Sequence, residues 1–182
     1  MTKWTKSTVA IGALALLSSA TANAAPTQGS LGDTSTGTLG ITASVPGRVR
    51  ISGLSDVVLA NANPAVAATN AQDVCVWSNT SGRKYRVTAN GDGSGGAFTL
   101  SDGTSTYPYA VQWNASAGQT SGTSLTANTP LTALTSSAIT NDCSAGPAKS
   151  ASLIVSLTSA TLQTMTAGVD ATGTLTLVVA PE

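Results

Sequence analysis

The sequence predicts an all-β protein, an antiparallel β-sandwich of immunoglobulin-like type. Three observations carry that expectation. Apolar and polar residues alternate in short runs, Gly, Asn and Pro punctuate the runs, and no stretch reads as a long helix. Charged residues are only 9% of the chain, a low share that flexible tails and exported structural proteins both show. The aliphatic alternation decides for a folded domain, because disordered chains lack the apolar residues that offset ordering entropy.

The chain opens with the pattern of a secretory signal peptide over residues 1–24. Lys3 and Lys6 supply the positive start, Val9 to Leu17 the short apolar run, and Ala22-Asn23-Ala24 a small-residue cleavage site. The apolar run is shorter than the roughly 20 residues that cross a bilayer. No Cys follows the cleavage site, so a lipid anchor has no acceptor there and release across the membrane is expected. Cleavage after residue 24 of the 182 leaves 158, enough for one domain with a real core.

Residues 25–46 read as an N-terminal extension. Within it Leu39, Ile41, Ala43 and Val45 fall on one side of a strand, with Gly40, Thr42 and Ser44 on the other. Pro46-Gly47 breaks the run, and the sandwich domain is expected over 47–182. Its first strand places Val49 and Ile51 against Arg48, Arg50 and Ser52. Asn61 to Gln72, rich in Ala and Asn with Pro64 inside, reads as a connection or a weak helical turn. Strands are expected at Val74 to Ser78 and at Lys84 to Ala89. Gly91 to Gly96 reads as a hairpin turn before Ala97 to Leu100. That turn lacks the Lys-Ser/Thr ending of a phosphate cradle and the carboxylates of a calcium loop.

Tyr107, Tyr109, Val111 and Trp113 share one face of the next strand, a stripe expected to be core; a sugar-stacking platform is the competing reading. Weaker strands are expected at Ser124 to Ala127 and Leu131 to Leu134. Ala151 to Leu157 and Thr172 to Val179 close the domain, with Leu162 to Met165 as a short connection between them.

Without its leader the chain carries six basic and eight acidic residues, which offers no footprint for nucleic acid. Arg83, Lys84 and Arg86 read as a solvated strand edge. The two cysteines, Cys75 and Cys143, both lie in the exported part and are expected to pair as an internal disulfide. The chain has no His, which removes the commonest general base and the main zinc ligand. Acids such as Asp92 and Asp102 precede Gly and suit turns. Lys149 and Ser150 are neighbours that a strand would point to opposite faces. No catalytic residue, no metal and no cofactor are therefore expected, and no enzymatic activity.

The leader, the run Gly-Thr-Leu-Gly-Ile-Thr-Ala-Ser-Val-Pro at 37–46, the pair Cys75 and Cys143, and Gly-Thr-Leu-Thr-Leu-Val-Val-Ala-Pro-Glu at 173–182 together resemble one family. They resemble pilus subunits of the chaperone–usher pathway, nearest the alternative and archaic branches with colonisation-factor fimbriae and spore-coat-protein-U-like proteins. The resemblance implies a sandwich lacking its last strand, with Leu39, Ile41, Ala43 and Val45 as the strand donated to the next subunit. It implies a periplasmic chaperone, an outer-membrane usher and other pilin subunits as partners. It also implies export through the periplasm to a cell-surface fimbria that serves adhesion or biofilm formation. Two other readings accompany it. One is a fimbrial adhesin binding host or surface glycans through Trp77, Tyr107 or Trp113; the other is a secreted coat or matrix protein with a complete sandwich.

Overall fold

The computed structural model describes residues 25–182, and the expected signal peptide lies outside the described residues. The chain divides into two units, Met1–Val45 and Pro46–Glu182. In the first, Thr27 and Thr38 exchange backbone hydrogen bonds of 2.9 and 3.0 Å. The segment 39–45 belongs to no strand, in contrast to its alternating pattern. Alternation makes a segment fit for a sheet, but a ladder forms only against a second edge.

The second unit is mostly β. Its strands are β1 (Val49–Ser52), β2 (Ala68–Ser78), β3 (Lys84–Gly91), β4 (Thr99–Ser101) and β5 (Thr106–Pro108). They continue with β6 (Ala110–Asn114), β7 (Thr123–Ser124), β8 (Leu131–Thr135), β9 (Ala151–Leu157) and β10 (Leu175–Pro181). One short helix, α1 (Ser159–Thr164), precedes β10. The strands form a five-stranded sheet in the order β1-β2-β9-β6-β7, a three-stranded sheet β10-β3-β8, and the pair β4-β5. Every pairing is antiparallel.

The two larger sheets pack together over one core. Val74 and Val76 of β2, Val111 and Trp113 of β6, and alternate residues Ala151, Leu153, Val155 and Leu157 of β9 meet Tyr85, Val87 and Ala89 of β3. Period-two spacing puts each of these sets on a single face.

Several expectations change in detail. The supposed connection 61–72 ends inside β2, because Ala68 to Val74 pair with Leu157 to Ala151 of β9 in an unbroken register. A neighbouring strand overrides the weak β-propensity of Ala and Asn there. The glycine-rich turn is not a β3-to-β4 hairpin: β3 pairs with β10 and β8, and β4 with β5. Gly91 is required at this exit, since a Cβ would sit 2.1 Å from the Ala97 carbonyl oxygen. The aromatic strand splits at Tyr109, whose N–H donates to Phe98 O (3.0 Å), so Tyr107 joins β4 while Val111 and Trp113 join β9. The strand expected from Ser124 shrinks to β7, and Leu162 lies in α1, whose first turn Thr158 caps by accepting Thr161 N–H (3.1 Å).

Candidate partner-binding groove

β10 pairs only with β3, so its other edge has no hydrogen-bonded strand among the described residues. Beside that edge a groove of about 1060 Å³ opens onto the core. Its apolar floor includes Leu153, Val155 and Leu157 of β9 together with Leu162 of α1. One wall is Leu175 and Leu177 of β10; the other is the segment after β1, with Val57 and Leu59. All four wall residues are only half-buried although they pack on the core, so the groove leaves core-directed surface in water.

Local sequence explains each part. α1 breaks the chain between β9 and β10 and turns Leu162 onto the floor. Gly173 to Leu175 is steered by Asp92, whose Oδ2 accepts Thr174 N–H (2.9 Å). Tyr109 also lines the groove; burial, and then the charge of Asp92, raises its hydroxyl pKa above the ordinary value.

In the N-terminal unit Leu39, Ile41 and Val45 are 70%, 88% and 79% exposed, and Ala43 is exposed as well. Four apolar side chains thus stand in water on alternate positions of one short segment.

The disulfide Cys75–Cys143 is present and joins β2 to the loop before β9. Ala138 and Trp77 pack against it, and Trp77 Nε1–H donates to Ile139 O (3.2 Å).

The aromatic candidates for glycan binding fare differently from the groove. Trp113 is 1% exposed and its Nε1–H donates to the Tyr85 hydroxyl (3.1 Å), and Tyr107 is 4% exposed with its hydroxyl on Asp102 Oδ2 (2.7 Å). Neither ring offers a face to a sugar, so the platform reading is corrected to core for both. Trp77 is half-buried and serves as a lid over the disulfide. Burial also raises the Tyr85 hydroxyl pKa, against the opposing bond from Trp113. Trp113→Phe should cost about 1–3 kcal/mol in a denaturant melt, because it strips the Tyr85 hydroxyl of that donor inside the core. A loss below a few tenths would show that the bond adds nothing.

Three carboxylates are held by hydrogen bonds, Asp73 within β2 and Asp102 and Asp142 in turns. Asp73 accepts from the Ser152 hydroxyl (2.6 Å) and from Gly118 N–H (2.8 Å), which hold its pKa below the usual range, with the charge of Lys149 helping. Asp102 is lowered by the N–H of Ser105, the hydroxyl of Tyr107 and the N–H of Thr104. Bonds from Ser144 and Thr140 bring Asp142 down to about 2. Folding lowers all three pKa values, so their stabilisation is complete above the unfolded value of about 4 and fades as pH falls through the folded values. Melting temperature should drop between pH 4 and pH 2 on the order of the Asp142 window, and the Asp73→Asn, Asp102→Asn, Asp142→Asn triple variant should flatten that drop. Identical pH profiles would remove these residues from the acid response.

Among the described residues no group of three His, Cys, Asp or Glu is placed to hold a metal, and no helix is long and apolar enough to cross a membrane. No protein-family model and no curated protein sequence matches the chain.

Proposed function

We propose that this protein is a structural subunit of an extracellular fibre assembled by strand donation. The fold is then an immunoglobulin-like sandwich short of one strand, and the groove beside β10 is the vacancy. Leu39, Ile41, Ala43 and Val45 of one copy fill the groove of the next. The observation that carries this reading is the pairing of two deficits in one chain: a core left open along a free strand edge, and an apolar-edged segment left in water.

The dimensions agree. Both the donor segment 39–45 and β10, Leu175–Pro181, are seven residues long. Each spans about 20 Å at roughly 3.3 Å per residue. Adding a strand supplies backbone hydrogen bonds to an open edge while alternate side chains fill pockets. Donation from copy to copy does not close on itself, so it builds a filament.

A chain with such an open edge needs protection before assembly. A periplasmic chaperone lending a strand, and an outer-membrane usher receiving the subunit, fit that need and the resemblance noted above. Adhesion or biofilm formation would follow from the fibre. The buried Trp113 and Tyr107 weigh against a glycan-binding adhesin, and the open groove weighs against a self-sufficient coat protein.

The experiment is direct. A synthetic peptide of residues 37–47 is titrated into the protein lacking residues 25–45, with binding read by fluorescence anisotropy and folding by circular dichroism. Saturable binding is expected, together with a rise in melting temperature. A folded protein that ignores the peptide would overturn the reading.

A further inference from the structure

The ladder between β1 and β2 runs from Val49 opposite Ser78 to Ser52 opposite Cys75, and stops. β2 itself continues back to Ala68, so among the described residues the stretch from Ala68 to Val74 pairs with β9 on one side and with no strand on the other. Beyond Ser52 the chain passes through Gly53, whose φ of +78° bends it out of the strand conformation. It then forms the groove wall that holds Val57 and Leu59.

Had the register of β1 continued, Ser55 would face Gln72. These two residues are joined, but not by their backbones. The Gln72 side-chain carbonyl accepts Ser55 N–H (2.9 Å), and its amide donates to Ser55 O (3.0 Å). The Ser55 hydroxyl donates to the same Gln72 oxygen (3.2 Å). The amide of one side chain thus makes the two bonds that a ladder partner would make, and ties the Ser55 backbone to the edge through the Gln72 side chain in place of the Gln72 backbone. The match extends to patterning. Val49 and Ile51 face the core, and Val57 and Leu59 continue the same period of two.

We infer that residues 53–59 are a strap with two positions: peeled, with Gln72 as its latch, and zipped onto Ala68–Val74 as a continuation of β1. The peeled position is the one the structure shows, with Gln72 on Ser55. A strand seated in the groove packs against Val57 and Leu59 and favours the zipped position, so Gln72 is a positioning residue that ties groove occupancy to the length of β1. This coupling rests on the strand-acceptor reading of the groove; the existence of the two positions does not.

Cysteines at Asp56 and Ala71 test it in the full chain. The two would lie opposite each other in the continued register, on the outward face, where zipped strands meet the Cα spacing of about 4.4–6.8 Å that a disulfide needs. With oxidised glutathione, the D56C/A71C variant should cross-link slowly. Adding Gln72→Val should speed cross-linking at least tenfold without any peptide; no acceleration there overturns the strap. Excess peptide of residues 37–47 on the D56C/A71C variant should give a similar acceleration. If the peptide binds and the rate is unchanged, the coupling is overturned. If the peptide does not bind, the strand-acceptor reading fails with the coupling, while the Gln72→Val result still decides the two positions.

Discussion

Replacing Ile41 by Asp should abolish fibre growth while leaving the melting temperature of the isolated subunit unchanged. Full burial of Leu39, Ile41 and Val45 in a neighbour is worth about 1.5–3 kcal/mol each, or roughly 5–9 kcal/mol together. Association costs about 4–15 kcal/mol of lost freedom, so little surplus remains without all three and the added backbone pairing. A carboxylate at position 41 loses one of the three contributions and would place a charge on an apolar floor. The expected readout is a concentration-dependent ladder on unboiled gels for the wild type and monomer alone for Ile41→Asp. Deleting residues 25–45 should do the same and, on the proposed reading in which a chaperone lends its strand to the groove, leave chaperone binding in place. Since Ile41 is 88% exposed, its replacement has no native contact of consequence to break within the subunit. Normal ladders from either variant would remove the donor assignment.

The second large effect is expected from the disulfide. Cys75 and Cys143 are separated by 68 positions, and by chain-entropy reasoning closing a loop of that size stabilises the fold by about 4 kcal/mol. That is a large part of the roughly 5–15 kcal/mol of a typical domain. Replacing both cysteines by Ala should therefore lower the melting temperature by about 8–16 °C, at roughly 2–4 °C per kcal/mol for a domain of this size. The double replacement avoids leaving one free thiol. The loop keeps other anchors: the Ser136 hydroxyl donates to Val76 O, and the Ser150 hydroxyl donates to the same oxygen (2.8 Å). Those bonds should preserve the native arrangement of a less stable protein. A shift below about 2 °C would mean that the unfolded chain gains little freedom from the cut.

Much of the fold was legible in local pattern. β3 and β9 stand close to where alternation put them, because alternate residues of each lie on the core. β8 also stands near its expected place, but a register shift against β3 turns Leu131 and Leu134, three positions apart, onto that core. The strand from Ala68 was illegible for the opposite reason. Its first half is Ala-Thr-Asn-Ala-Gln, a string with no apolar alternation, and it becomes strand through the backbone of β9 alone. The break at Tyr109 escaped notice because Tyr107, Tyr109, Val111 and Trp113 keep one continuous pattern while the chain changes partners beneath it. The same limit applies to the candidate site. The residues of the proposed donor were visible as a stripe, whereas the groove is assembled from β9, β10, α1 and residues 54–62, which lie far apart in sequence. Gln72 gave no signal of its own; only the register of β1 against β2 shows that its amide stands in for a backbone.

The chain's residues by themselves determined the β character, the pairing of its two cysteines as the sole candidates, and the apolar alternation of residues 39–45. Those are properties of short windows and of residue counts, and they follow from periodicity and thiol chemistry. Tertiary structure alone decided where the aromatic stripe changes partners, which strand edge stays open and where the core is left uncovered. Each of these depends on what a residue meets across the sheet, and contacts between distant segments leave no mark in local order.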